Sequence, residues 1–199
     1  MLKKKIYSNI NNSKIITFIG MMGTGKSKFG RLIAKSYNFN FYDIDLLIEK
    51  KFNNTIIALF QEYGENFFRT AEENIIKELI FTVSQSNKNS VISLGGGGFD
   101  NENTRTLLLE KSHVIWLNTP VKTLVDRVGD GSKRPMIKGN VKKSISELLK
   151  KRIKYYSLCH DQLNTYKLNQ NQIIEKLSEI ISNNNLKVEK WSQKFLMFH

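Results

Sequence analysis

The octapeptide GMMGTGKS at positions 20–27 follows KIITFI, a β-branched and aromatic run, and precedes KFGRLIAKSY, which has helical spacing. Gly20, Gly25, Lys26 and Ser27 satisfy G-x-x-x-x-G-K-[ST] in full, with Gly23 as a third glycine inside it. A strand, this loop and a helix are the context in which the motif means phosphate binding. The glycines let backbone N–H groups curl around an anion without Cβ clashes. The helix beginning near Lys26 adds its positive dipole end. Lys26 can reach the β- and γ-phosphates, and the Ser27 hydroxyl can ligate Mg²⁺. A chance Gly-rich turn is the competing reading, and spacing and context together weigh against it. The loop implies a nucleoside triphosphate, but kinases, GTPases and motor ATPases share it.

Strand-like and helix-like segments alternate along the rest of the chain. KIITFI is the first strand, and a helix runs from the loop to about Tyr37. FNFYDID is a second strand, followed by helical stretches at Leu46 to Lys51, Ile56 to Tyr63 and Glu65 to Ser84. SVISL is a third strand, broken by GGGG at Gly95 to Gly98. A helix in NENTRTLLLEK, a fourth strand HVIWLN, and a helix in TPVKTLVDRV with Pro120 near its start come next. GDGSKRPMIKGN is a polar loop, VKKSISELLKKRIKYY a helix, QLNT a weak fifth strand and NQIIEKLSEIIS a last helix. Such alternation predicts a three-layer α/β sandwich around a central parallel sheet of about five strands.

With 199 residues the chain is expected to form one domain: a core at about 14–182, extensions at 1–13 and 183–199, and a lid at about 127–139. The net charge of +13 favours anionic partners. Lysine and asparagine are spread throughout, however, and no zinc-knuckle or aromatic RNA-binding motif is present. A solvated basic surface with no nucleic-acid role is therefore expected. The single cysteine, Cys159, allows no intrachain disulfide. His113, His160 and His199 lack metal-ligand spacing and are expected to be structural or surface residues. No apolar run is long enough to span a membrane, and the basic start lacks a secretory apolar region. A soluble, cytoplasmic protein is expected.

Three clusters lie beyond the loop. Asp43 and Asp45, in FYDID, sit at the carboxyl end of a strand, the edge that lines the ligand crevice of an open α/β sheet. Strand alternation would point both the same way. One can organise Mg²⁺ and the other can accept a proton from a hydroxyl nucleophile. A helix cap before LLIEK is the competing reading for Asp45. Arg69 and Glu72, in FFRTAEE, are spaced to meet on a helix, where a surface salt bridge is the plainer reading. LGGGGF would let backbone N–H groups approach a small ligand closely, and four glycines are entropically costly for an idle turn.

In this order, the phosphate loop, DID, FFRTAE, GGGG and RP resemble the shikimate kinase family over about residues 14–182. The resemblance implies a P-loop kinase fold and transfer of a phosphoryl group from Mg-ATP to a hydroxyl of shikimate. ATP would meet Gly23, Thr24, Gly25, Lys26, Ser27, Lys28, Arg127 and Arg134, with Ser27 and Asp43 at the metal. Lys26, Asp45 and Arg134 would carry the catalysis. Shikimate would meet Asp45, Gly95, Gly96, Gly97, Phe60 and Phe68, with Arg69 and Arg152 clamping its carboxylate and Glu72 holding Arg69. Planar guanidinium forks suit that carboxylate. For Phe60 and Phe68 a plain core role competes. The family implies a monomer. Another small-metabolite kinase, for gluconate or a nucleotide, is the alternative activity. A regulatory or nucleic-acid-binding NTPase is the alternative class. Departures from the family pattern are the fourth glycine, Gly98, the KYY that follows the clamp arginine, although Tyr156 remains, and NTYKLNQN, to which no adenine contact is assigned.

Overall fold

The computed structural model describes residues 14–132, 134–137 and 139–184. The expected extension at 1–13, most of that at the other end, and two lid positions therefore lie outside the described residues.

At the centre of the sheet is β1, Ile15–Ile19, buried along its whole length. It sends Ile15 and Ile19 into one core and Ile16 and Phe18 into the other, as strand alternation requires. The other strands are β2 (Asn40–Asp43), β3 (Ser90–Ser93), β4 (His113–Asn118) and β5 (Asp161–Asn164). Their order is β2-β3-β1-β4-β5, and every pairing is parallel. Strands buried on both faces are continuous apolar runs rather than alternating ones. That is why IITFI and HVIWLN were legible as strands.

On one face lie α1 (Lys26–Ser36) and α7 (Gln170–Asn183), whose Phe29, Ile33, Ile173 and Leu177 build one core. On the other lie α2 (Ile44–Phe52), α3 (Ile56–Ser84), α4 (Glu102–Lys111), α5 (Val121–Val128) and α6 (Val141–Tyr156). These supply the larger core, including Ile48, Leu59, Leu108, Leu124 and Tyr156. The α3 segment is broken at Gly64, whose φ of 79° and ψ of 175° are not helical. The two helical stretches expected on either side of that glycine are therefore the two arms of α3.

One expectation about β2 fails. The strand ends at Asp43, and Asp45 lies in the first turn of α2. The cap is Asp43, whose carboxylate accepts the Asp45 backbone N–H at 3.1 Å. The helix-cap role considered for Asp45 thus belongs to Asp43, and strand alternation does not relate the two side chains.

Candidate active site

The carboxyl ends of β1, β2 and β3 carry the phosphate loop, the two aspartates and the glycine turn, so the topology assembles one edge from three distant segments. In the phosphate loop, Gly23 and Gly25 have φ of 81° and 92°, a conformation that favours glycine. Gly25 caps α1, whose first turn contains no acid to compete with an incoming anion. The buried Lys26 ammonium donates to the Gly20 and Met21 carbonyls, both at 2.9 Å. Burial lowers its pKa to about 8, with Asp45 opposing and Arg134 adding to the fall. Thr24 is buried and donates back to the Met21 carbonyl at 2.9 Å, so its side chain braces the loop. The Ser27 hydroxyl lies 3.3 Å from that of Ser93 at the end of β3. Lys28 is exposed, its ammonium 5.9 Å over the Phe29 ring. Arg127 donates to the Gly23 carbonyl at 3.1 Å, which puts α5 against the loop.

Asp45 stands between this loop and the glycine turn. A Cβ on Gly95 would lie 2.8 Å from its Oδ1, and 2.6 Å from Oε1 of Glu72. Burial raises the Asp45 pKa, Asp43 adds to the rise, and Lys26 and Arg134 oppose it. Asp45 is therefore a stronger base than an ordinary aspartate, beside the lysine of the phosphate loop.

The glycine turn has a steric reason. Gly95 to Gly98 adopt no left-handed φ among the described residues. Their requirement is space. A Cβ on Gly97 would fall 2.5 Å from Nη2 of Arg69 and 2.8 Å from Nη2 of Arg152. The two arginines, from α3 and α6, converge on one glycine. Arg69 donates to Oε2 of the buried Glu72 at 2.6 Å, and its Nε faces Oε1 of Glu65 at 3.3 Å. Burial raises the Glu72 pKa, and Arg69 opposes that rise. Arg152 is buried and donates from Nε to Oδ2 of Asp100 at 2.9 Å. The Tyr156 hydroxyl, one turn further along α6, donates to the Gly96 carbonyl. The Phe60 and Phe68 rings lie 4.5 Å apart, with the Arg69 guanidinium 5.2 Å from the Phe68 centroid. Phe68 belongs to the core and Phe60 packs against it. Phe60 also lines a cleft of about 510 Å³ between the first arm of α3 and the lid, where Glu65, Arg134 and Ile137 contribute.

Every residue expected at the substrate is thus at one edge of the sheet. Two that the sequence did not single out, Asp100 and Glu65, are tied to the converging arginines. The only sign in the sequence was an acid just after each of the two local glycine breaks.

The sequence profile of the shikimate kinase family matches residues 22–182, most of the chain. The chain belongs to the shikimate kinase family. A curated shikimate kinase from Persephonella marina is 39% identical over 163 residues, spanning 81% of this chain and 95% of that protein. One from Zymomonas mobilis is 40% identical over 147 residues, spanning 73% and 81%. A solved structure of shikimate kinase from Acinetobacter baumannii in complex with shikimate superposes with a TM-score of 0.80 at 29% identity. It covers 93% of this chain and 99% of that one. The P-loop kinase fold is therefore established alongside the family.

Proposed function

We infer that this chain acts as a shikimate kinase, transferring the γ-phosphoryl group of ATP to a hydroxyl of shikimate to give shikimate 3-phosphate and ADP. The observation that carries this reading is the convergence of Arg69 and Arg152 on Gly97, with Asp45 between them and the phosphate loop. A carboxylic acid with ring hydroxyls suits that layout: guanidinium forks at one end and a base facing the phosphates at the other.

In the mechanism, Arg69 and Arg152 hold the carboxylate while Phe60 and Phe68 lie beside the ring. The glycine turn admits the substrate against bare backbone. The acceptor hydroxyl oxygen bonds to the γ-phosphorus as the bond to the β-phosphate oxygen breaks. Asp45 takes the hydroxyl proton, and ADP leaves with the electron pair. Lys26 turns from the Gly20 and Met21 carbonyls to the transferring phosphate, and Arg134 stabilises the charge that develops there. Gly23, Thr24, Gly25, Ser27, Lys28 and Arg127 complete the ATP side. The lid excludes water, which would otherwise accept the phosphoryl group.

Mg²⁺ suits the donors available. Among the described residues no cluster of three or more His, Cys, Asp or Glu could cage a metal. Ser27 and Asp43 offer one hydroxyl and one carboxylate. Mg²⁺ typically takes one or two protein oxygens and completes its shell with phosphates and water. Held by Ser27 and Asp43, the ion would supply positive charge that offsets the charge of the phosphates. The protein works as a one-domain monomer in the cytoplasm, without a nucleic-acid partner. In keeping with this, no described helix is long and apolar enough to cross a membrane.

The test is a coupled ADP assay across shikimate, gluconate, nucleoside monophosphates and RNA. Shikimate should stimulate ADP formation and the others should not. If shikimate left ADP production unchanged while RNA raised it, the kinase reading would fall.

A further inference from the structure

We propose that Asp100 is a positioning residue for the substrate carboxylate, acting through Arg152. This rests on the assignment of Arg152 to the clamp. Arg152 is only 3% exposed, and a guanidinium taken out of water requires a counter-charge and filled hydrogen bonds. Asp100 supplies the counter-charge and fills the Nε hydrogen bond through its 2.9 Å contact. Its other oxygen, Oδ1, is buried and has no hydrogen-bond partner among the described residues, so the Arg152 contact is the hydrogen bond this carboxylate makes there.

Engagement at Nε fixes the plane of the fork and leaves its two Nη ends facing the glycine turn. Nη1 lies 3.5 Å from where a Cβ on Gly96 would stand, and Nη2 lies 2.8 Å from the corresponding point on Gly97. Nη2 of Arg69 approaches that second point to 2.5 Å. Two like charges meeting at one glycine repel, so each needs its own anchor. Glu72 anchors Arg69, and Asp100 anchors Arg152. Asp100 also ends the 3-10 turn Gly98–Asp100, which continues directly from the glycine turn. Its N–H donates to the Gly97 carbonyl at 3.0 Å, and Arg105 donates to its own carbonyl at 3.0 Å. One short segment thus carries both the bare backbone that meets the substrate and the acid that aims the second arginine.

The experiment compares Asp100→Ala, Asp100→Asn and Arg152→Lys, alone and as Asp100→Asn with Arg152→Lys. The readouts are KM for shikimate, KM for ATP, turnover of shikimate methyl ester and thermal unfolding. Asp100→Ala should raise the shikimate KM about tenfold or more, the scale of a lost charge-assisted hydrogen bond, and leave the ATP KM unchanged. Asp100→Asn keeps an acceptor for Nε without the charge and should fall between. In the Arg152→Lys background it should add less than about twofold, since coupled residues are not additive. The methyl ester, which has no carboxylate charge, should be far less sensitive to the change at Asp100. A merely structural role would instead move both KM values and both substrates together. If Asp100→Ala does not fold, Asp100→Asn decides by the same comparison. An unaltered shikimate KM in the folded Asp100 variants, while Arg152→Lys raises it, would overturn the proposal alone. An unaltered KM in Arg152→Lys would overturn the clamp reading itself.

Discussion

Replacing Gly97 with alanine is the sharpest probe of the converging arginines. The φ of −103° at Gly97 is ordinary, so alanine fits the backbone without strain. Its methyl group would stand 2.5 Å from Arg69 Nη2 and 2.8 Å from Arg152 Nη2. Non-bonded heavy atoms prefer about 3.5–4.0 Å, so each guanidinium must retreat by roughly 1 Å or the turn must move. Arg69, with a side chain 23% exposed, can swing toward solvent. Arg152 is buried and tied to Asp100, and cannot follow. The two forks then no longer address one carboxylate. Losing one charge-assisted hydrogen bond is worth about 1.5–3 kcal/mol, or roughly ten- to a hundredfold in shikimate KM. The ATP KM should hold, because the phosphate loop is untouched. Gly64→Ala is the control. Among the described residues nothing lies within 4 Å of where a Cβ on Gly64 would stand, but its φ of 79° with ψ of 175° is unfavourable for alanine. It should lose about 1–3 kcal/mol of stability with little substrate effect. Both variants would be measured by coupled ADP assay and thermal unfolding. An unaltered shikimate KM in Gly97→Ala, or equal rises for both substrates, would refute the reasoning.

Asp45→Asn should abolish turnover while ATP binding and melting temperature hold, because the cap of α2 is Asp43; a near-normal rate would remove the base assignment. In the wild type, kcat/KM should fall on the acid side as pH drops through an Asp45 pKa above the usual aspartate range. Lys26→Met should nearly abolish turnover in a folded protein. Between about pH 8 and 10.5 the unfolded nucleotide-free chain holds the Lys26 proton more tightly than the folded one. Wild-type stability relative to Lys26→Met should therefore rise with pH in that window, and a flat difference in chemical unfolding would contradict it. Arg69→Lys should raise the shikimate KM strongly and barely alter that for ATP. Adding Glu72→Gln should cost less than the sum of the singles, and a strictly additive result would separate Glu72 from Arg69.

Much of this molecule was legible in its sequence because the signals were local. The buried strands IITFI and HVIWLN were unbroken apolar runs, and Gly64 divided α3 where helical spacing was interrupted. The phosphate loop declared itself by spacing and context. What remained hidden depended on partners far along the chain. Asp100 is paired with Arg152, 52 positions away, and has no periodic signature of its own. The four glycines were legible as unusual, but their cause was not. Only the fold brings two guanidiniums and two carboxylates up against them. The aspartate pair misled for a local reason. One hydrogen bond from the Asp45 N–H to Asp43 ends β2 two residues early and starts a helix.

The span of these contacts also has a consequence for folding. Arg152 reaches back 52 positions to Asp100, and the Tyr156 hydroxyl reaches back 60 to Gly96. Neither can form until α6 has docked on a sheet whose central strand comes from the opposite end of the chain. Contacts so distant in sequence carry a large loop-closure cost and are made late. Shikimate affinity during refolding would therefore lag behind the return of helical signal, and binding of this small acid would report that α6 has docked on the sheet.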